Sequence, residues 1–153
     1  MKKVLSFIVL ASMACATPAF AADPVVGSWT LNVAKSKFPA GSELTSASRT
    51  YSESKGTYTL KQSVTTADGK TNTSTSHYRD GADVKQPAGS VADTVMAKKI
   101  DANTWDFDLK KDGKAVGHVH RTVSADGKTL TVEQSGVRLG GGSGAETLVF
   151  DKQ

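Results

Sequence analysis

The 153-residue chain has one cysteine, Cys15, and it lies in a first segment that reads as a targeting signal. The remainder carries no thiol, so no disulfide can staple it, and its stability must come from core packing, turns and strand ladders. No stretch approaches the roughly 20 consecutive apolar residues that a membrane-spanning helix needs. Sustained helical periodicity is also missing, which argues against an amphipathic bundle. Aromatic residues are scarce: outside Phe7 and Phe20 there are eight, a small stock for the interior of a domain this size. The lysines are scattered, several of them in turns, and make no basic stripe of the kind nucleic acid requires. Catalytic signatures are equally thin. There is no Gly-x-Ser-x-Gly elbow, no phosphate-cradling glycine loop ahead of a helix and no acidic calcium-loop spacing. Asp106 and Asp108 share a strand face with Lys110, which neutralises them as a hydrolytic carboxylate pair. The expectation is a protein that is not an enzyme and carries no cofactor.

The first 21 residues fit an export signal. Lys2-Lys3 supply the positive start, Val4 to Met13 a short apolar core, and Ala19-Phe20-Ala21 a small-x-small cleavage site. Cleavage after Ala21 leaves residues 22–153 as one domain, and loss of the two lysines takes the formal charge from +4 to +2 (17 basic against 15 acidic side chains). The expected location is the periplasm or the medium. A second reading of the same segment makes Cys15, preceded by Ser12-Met13-Ala14, a lipid attachment point that would anchor the protein as a lipoprotein.

What the sequence has in quantity is hairpin chemistry. Asp-Gly recurs at 68–69, 80–81, 112–113 and 126–127, each between segments of alternating polarity. Glycine supplies the positive φ of a tight, twist-matched turn, so this pattern predicts an antiparallel meander. The segments 27–33, 47–53, 57–66, 71–79, 82–86, 94–101, 104–110, 115–124, 129–137 and 146–152 read as strands, rich in Thr, Val and aromatics. Residues 34–46 read as a loop and 140–144 as a flexible hairpin tip. A meander this long must hide its edges, which predicts a single all-β, antiparallel up-and-down barrel of eight to ten strands.

Period-two alternation sorts side chains into faces. Tyr58, Leu60, Gln62 and Val64 share one face; Trp105, Phe107 and Leu109 share another. Leu130, Val132 and Gln134 line up, as do Ala115, Gly117, Val119, Arg121 and Val123. Arg121 therefore points inward between valines, where an unpaired guanidinium is costly and must find an anion or acceptors. Its planar fork suits a carboxylate or phosphate; a structural partner is the competing role. Gln62, Gln134 and Lys99 fall on inward faces by the same parity, with hydroxyls from Tyr51 and Tyr78. Together with Tyr58, Leu60, Trp105 and Phe107 they make a mixed lining for an apolar or amphipathic ligand with an anionic or hydrogen-bonding head. His118 and His120 share the opposite face at a metal-ligand spacing, but no third ligand is visible, so they are weak metal candidates.

Gly27-Ser28-Trp29, Ala34-Lys35-Ser36-Lys37-Phe38, Asp93-Thr94-Val95, Lys98-Lys99-Ile100-Asp101, Lys110-Lys111-Asp112-Gly113-Lys114 and Phe150-Asp151-Lys152-Gln153 carry a resemblance. The chain resembles the lipocalin and fatty-acid-binding (calycin) superfamily, and more specifically small secreted bacterial lipocalin-like proteins of undetermined function. The Thr-Asp-Tyr loop motif and disulfide of larger lipocalins are absent, and the first connection is too short for the two-helix lid of the fatty-acid-binding proteins. The resemblance implies that Gly27 and Trp29 plug one barrel end, with a late-strand cation (Arg121, Arg138 or Lys152) across the ring. It implies an exported small-molecule binding or carrier protein. The alternative is an envelope protein-interaction or inhibitor module with a filled barrel, using the 34–46 loop and the 140–144 tip.

Overall fold

The computed structural model describes residues 23–153, so the cleavage and lipid-attachment readings fall outside the described residues. Ten strands follow one another: β1 (Gly27–Leu31), β2 (Leu44–Ser54), β3 (Thr57–Thr66), β4 (Thr71–Tyr78), β5 (Ala82–Lys85), β6 (Thr94–Lys99), β7 (Thr104–Lys111), β8 (Lys114–Val123), β9 (Thr129–Gly136) and β10 (Glu146–Lys152). They form one antiparallel sheet in the order β4-β3-β2-β1-β10-β9-β8-β7-β6-β5. Pairing of β1 with β10 joins the first and last strands and curls the meander into a nearly closed barrel. No helix among the described residues is long and apolar enough to cross a membrane.

The turns obey the glycine code. At Asp112-Gly113 both residues have positive φ (50° and 74°), as they do at Lys55-Gly56 (51° and 77°), the conformation of a two-residue hairpin loop. At Ala67–Lys70 the Asp68 carboxylate accepts from the Thr66 hydroxyl and the Lys70 N–H, fixing the turn from its own side chain.

Where the strands depart from simple alternation, a bulge is the cause. β2 starts at Leu44, earlier than alternation predicts, because its register with β3 shifts between Leu44 and Ser46. In β8 the extra residue Val116 lies between the Lys110–Ala115 and Leu109–Gly117 pairs, so Ala115 is exposed instead of joining the inward set. β1 ends at Leu31, short of the predicted Val33. Asn32 instead caps a 3-10 turn over Val33–Lys35, its side chain accepting from the Lys35 N–H.

One end of the barrel is shut by the segment before β1. The Asp23 carboxylate accepts from the Tyr58 hydroxyl, the Lys99 ammonium and the Val25 N–H. Trp29 is 1 % exposed and its indole N–H donates to Val25 O at 2.8 Å. The cation across its ring is Lys152, with Nζ 5.1 Å from the centroid. Gly27, at φ +129°, leaves room for that side chain: a Cβ there would sit 3.3 Å from Lys152 Cε.

The barrel wall has one seam. β4 and β5 share no ladder, and the buried Gln86 side chain bridges the gap. Its Oε1 accepts from His77 N–H (3.1 Å) while its Nε2 donates to His77 O (2.7 Å) and Val84 O (2.9 Å). One amide thus satisfies both main-chain groups that a neighbouring strand would have taken. Gln86→Leu should cost about 1–3 kcal/mol by leaving both groups unmatched. It should also speed hydrogen exchange at the His77 amide while leaving β9 protected. Unchanged exchange at His77 would show that the seam does not depend on this amide.

Candidate ligand cavity

The inward faces do not fill the barrel. They enclose a cavity of about 660 Å³. Its lining mixes apolar side chains (Leu60, Val64, Val95, Phe107, Val119 and Leu148) with polar ones (Gln62, Asn72, Ser74, Ser76 and Gln86). The cavity extends to the end opposite the Trp29 plug, where residues 41–43, 66–68, 90–92 and 138–142 line its mouth.

Arg121, 2 % exposed, lies on the inner face of β8 between Trp105 of β7 and Val132 of β9. Its Nη1 donates to the Tyr78 hydroxyl at 2.7 Å. Its Cζ sits 5.1–5.4 Å from the ring centroids of Tyr51, Tyr78, Trp105 and Phe107. Its Nε and Nη2 are buried without a hydrogen-bond partner. Burial pushes the Tyr78 phenol well above the usual tyrosine range, against the pull of the neighbouring Arg121. Tyr78 therefore stays neutral; its oxygen accepts from Arg121 and its proton remains free to donate.

Two more guanidiniums border the cavity. Arg49 lies over the Phe150 ring (Cζ 4.8 Å from the centroid), and its Nη1 meets the Tyr51 hydroxyl at 3.5 Å. Arg138, just after β9, donates from Nη2 to Ser42 Oγ (2.9 Å) and pairs through Nη1 with Glu146 Oε2 (3.4 Å). The bond to Ser42 ties the β9–β10 connection to the β1–β2 connection at the mouth, and the pair with Glu146 holds Arg138 to the start of β10. Burial raises the Glu146 carboxyl above its ordinary range, opposed by Arg138 and, more weakly, Arg49.

Of the residues singled out from sequence, Arg121, Gln62, Gln134, Leu60 and Phe107 line the cavity. Gln62 donates to Ser74 Oγ (3.1 Å) and leaves its buried Oε1 unbonded, whereas Gln134 is held by Val137 O (2.6 Å). Lys99, Tyr58 and Trp105 are corrections. They face inward, but at the shut end, where Asp23 takes the Lys99 ammonium and the Tyr58 hydroxyl and Trp105 packs edge-on against Tyr58 and Tyr78. His118 and His120 are on the outer wall, their Nδ1 atoms bonded to Asp108 (2.9 Å) and Asp106 (2.6 Å) of β7. Among the described residues no group of three or more His, Cys, Asp or Glu side chains could hold a metal ion.

Sequence reading did not place Arg49, Arg138 or Glu146 at the cavity, naming Arg138 only as a candidate cation across the Trp29 ring. Two were within its reach: Ala47, Arg49 and Tyr51 alternate as regularly as the Arg121 set, and Glu146 leads Leu148 and Phe150. Arg138 follows Gly136, whose positive φ (83°) and contact with the Val116 carbonyl break the period.

No protein-family model matches the chain, and no curated protein matches it in sequence. Solved structures do match. The fluorescent protein UnaG gives a TM-score of 0.59 at 13 % identity over 84 % of this chain and 96 % of its own. A Schistosoma mansoni fatty acid binding protein in complex with arachidonic acid gives 0.56 at 11 % over 85 % and 96 %. A zebrafish ileal bile acid-binding protein complexed with cholic acid gives 0.57 at 8 % over 85 % and 99 %. The fold is that of the fatty-acid-binding proteins. Identities this low carry the fold and nothing finer.

The shut end has a pH signature. Burial first, then the Asp23 carboxylate beside it, push the Tyr58 phenol from 10.0 up to about 12. The folded state keeps this proton after the unfolded chain has lost it, so the contribution is neutral below 10 and stability falls as pH rises from about 10 towards 12. Absorbance titration near 295 nm should show a late tyrosine that Asp23→Asn moves to lower pH. An unmoved titration would detach Tyr58 from Asp23.

Proposed function

We propose that the protein is an exported binding or carrier protein for an amphipathic small molecule with an anionic head. The head meets Arg121 and Tyr78, and the apolar part runs along Leu60, Val64, Phe107 and Val119 towards the mouth. The observation that carries this reading is the buried Arg121 guanidinium, with two unbonded donors and no carboxylate partner, at the inner end of a half-apolar cavity. Buried donors of that kind call for an acceptor, and an anion supplies the strongest. The neighbours that bind arachidonic acid and cholic acid support a carrier role, since both ligands pair an apolar body with an acid group. The filled-barrel interaction module is disfavoured by the cavity itself.

Export rests on Lys2-Lys3, the apolar core and Ala19-Phe20-Ala21. Protein recovered from outside the cytoplasm should begin at Ala22; an acylated Cys15 at the N-terminus would make it a lipoprotein instead.

Arg121→Met tests the binding role. Met keeps much of the aliphatic stem among the four rings, so the variant should fold, and affinity for long-chain anionic amphiphiles should fall by about 1.5–3 kcal/mol, the worth of a charged hydrogen bond. Melting and calorimetric titration on the same sample separate the roles. Undiminished affinity in the variant, or a parent protein that binds no amphiphile, would overturn the proposal.

A further inference from the structure

The cavity wall carries more positive charge than a singly charged head can match. Arg49, Arg121 and Arg138 are all buried and all border the cavity, and Glu146 is the buried carboxylate among them. Glu146 pairs with Arg138 at 3.4 Å, which leaves two guanidiniums unmatched. Asp23 is engaged at the shut end by Lys99 at 2.9 Å, and Asp68 at the mouth by Lys70 at 2.8 Å. Glu43, at the mouth, is exposed.

The two unmatched cations flank the same side chain. Arg121 lies over the Tyr51 ring, Cζ 5.2 Å from its centroid, and Arg49 meets the Tyr51 hydroxyl at 3.5 Å. Around them the free hydrogen-bonding capacity is dominated by donors: Arg121 Nε and Nη2, Arg49 Nε, and the phenol protons of Tyr51 and Tyr78 lack acceptors, against one unbonded buried acceptor, Gln62 Oε1, on the β3 residue paired with Arg49. Water can solvate these charges while the cavity is unfilled. A ligand that displaces the water must supply the countercharge itself, since a buried charge left unpaired is strongly destabilising. A carboxylate brings two oxygens and one charge. A phosphate monoester brings three terminal oxygens and, above its second pKa near 6, close to two charges.

We infer that the head group this cavity recognises is a phosphate monoester in its dianionic form, held between Arg121 and Arg49 with its alkyl part directed to the mouth. The inference rests on the amphiphile-binding reading above and names the head group that reading leaves open.

Calorimetric titration at about pH 8, above the phosphate pKa near 6, with decyl phosphate, decyl sulfate, decanoate and inorganic phosphate tests it. Chain length is constant across the amphiphiles, and sulfate keeps the tetrahedral shape with a single charge. Decyl phosphate should bind at least about ten-fold more tightly than decyl sulfate or decanoate, as expected when a second charge-assisted contact is made. Arg49→Met should bring phosphate and sulfate within about three-fold of each other, while Arg49→Lys, which keeps the charge, should retain most of the preference. Inorganic phosphate should bind far more weakly than decyl phosphate. Decanoate or decyl sulfate binding as tightly as decyl phosphate would overturn the phosphate assignment and leave the carrier reading standing, as would an undiminished preference in Arg49→Met. Inorganic phosphate binding as tightly as decyl phosphate would make this a free-phosphate site and sink the carrier reading, and no binding by any probe would sink both.

Discussion

Much of the interior follows from burying the Arg121 guanidinium without a carboxylate partner. A charge that deep has to be compensated by whatever surrounds it, and here that is four ring faces and one phenol oxygen. The cage is itself braced, with Tyr58 stacked on Tyr78 at 5.0 Å and Trp105 edge-on to both. The same solution recurs elsewhere, Trp29 beneath Lys152 and Phe150 beneath Arg49. Six of the eight aromatic residues in 23–153 therefore present a ring face to a cation. Rings committed to charges are not available to fill the barrel, and the small side chains that remain leave its centre open.

The closure of the wall uses a related economy. A ten-stranded meander must meet itself, and this one meets along β1–β10 by a true ladder but along β4–β5 by the Gln86 amide. β5 is short because Pro87 follows Gln86 and cannot donate to a ladder. The shut end depends on Asp23 in the same way. Burial alone would raise its carboxyl, yet the hydrogen bonds from Lys99, Val25 and Tyr58 outweigh that and hold it below the ordinary range. Single side chains thus stand in for secondary structure at both places where the barrel could come apart.

The fold was largely legible because its signals are local. Asp-Gly turns and period-two alternation are written within a few residues, and every predicted strand exists. The misses have local causes too: the bulges at Thr45 and Val116 each insert one residue, and one residue is enough to reverse a face. The site was legible only where alternation is clean. Arg121 was found by parity among valines, and Arg49 could have been, between Ala47 and Tyr51. Lys99, Tyr58 and Trp105 show the limit of that reasoning. Parity tells which face a side chain takes but not how far along the barrel it lies, and these three are at the end that Asp23 shuts. Asp23 lies outside any strand pattern, and Gln86 ends the predicted 82–86 strand one residue past the observed end of β5 at Lys85, so no periodicity announces what they do.

Depth along the barrel is what gives the cavity a direction. At the shut end Asp23 and Lys99 cancel each other, and at the mouth Arg138 and Glu146 do the same. Only the middle, around Tyr51, is left positive. The mouth beyond it offers Leu44, Val64 and Leu139, and Gly140 packs there against Thr66 and Leu44 so closely that a Cβ would sit 3.2 and 3.4 Å from them. A glycine at that point lets the β9–β10 connection come close to the mouth-side ends of β2 and β3. An amphiphile inserted head-first meets countercharge in the interior and apolar contact near the rim. Inserted tail-first, it would place hydrocarbon against two unmatched guanidiniums and its charge beside Glu146, which costs on both counts. For the proposed ligand, the arrangement of charges would therefore favour the head-first orientation.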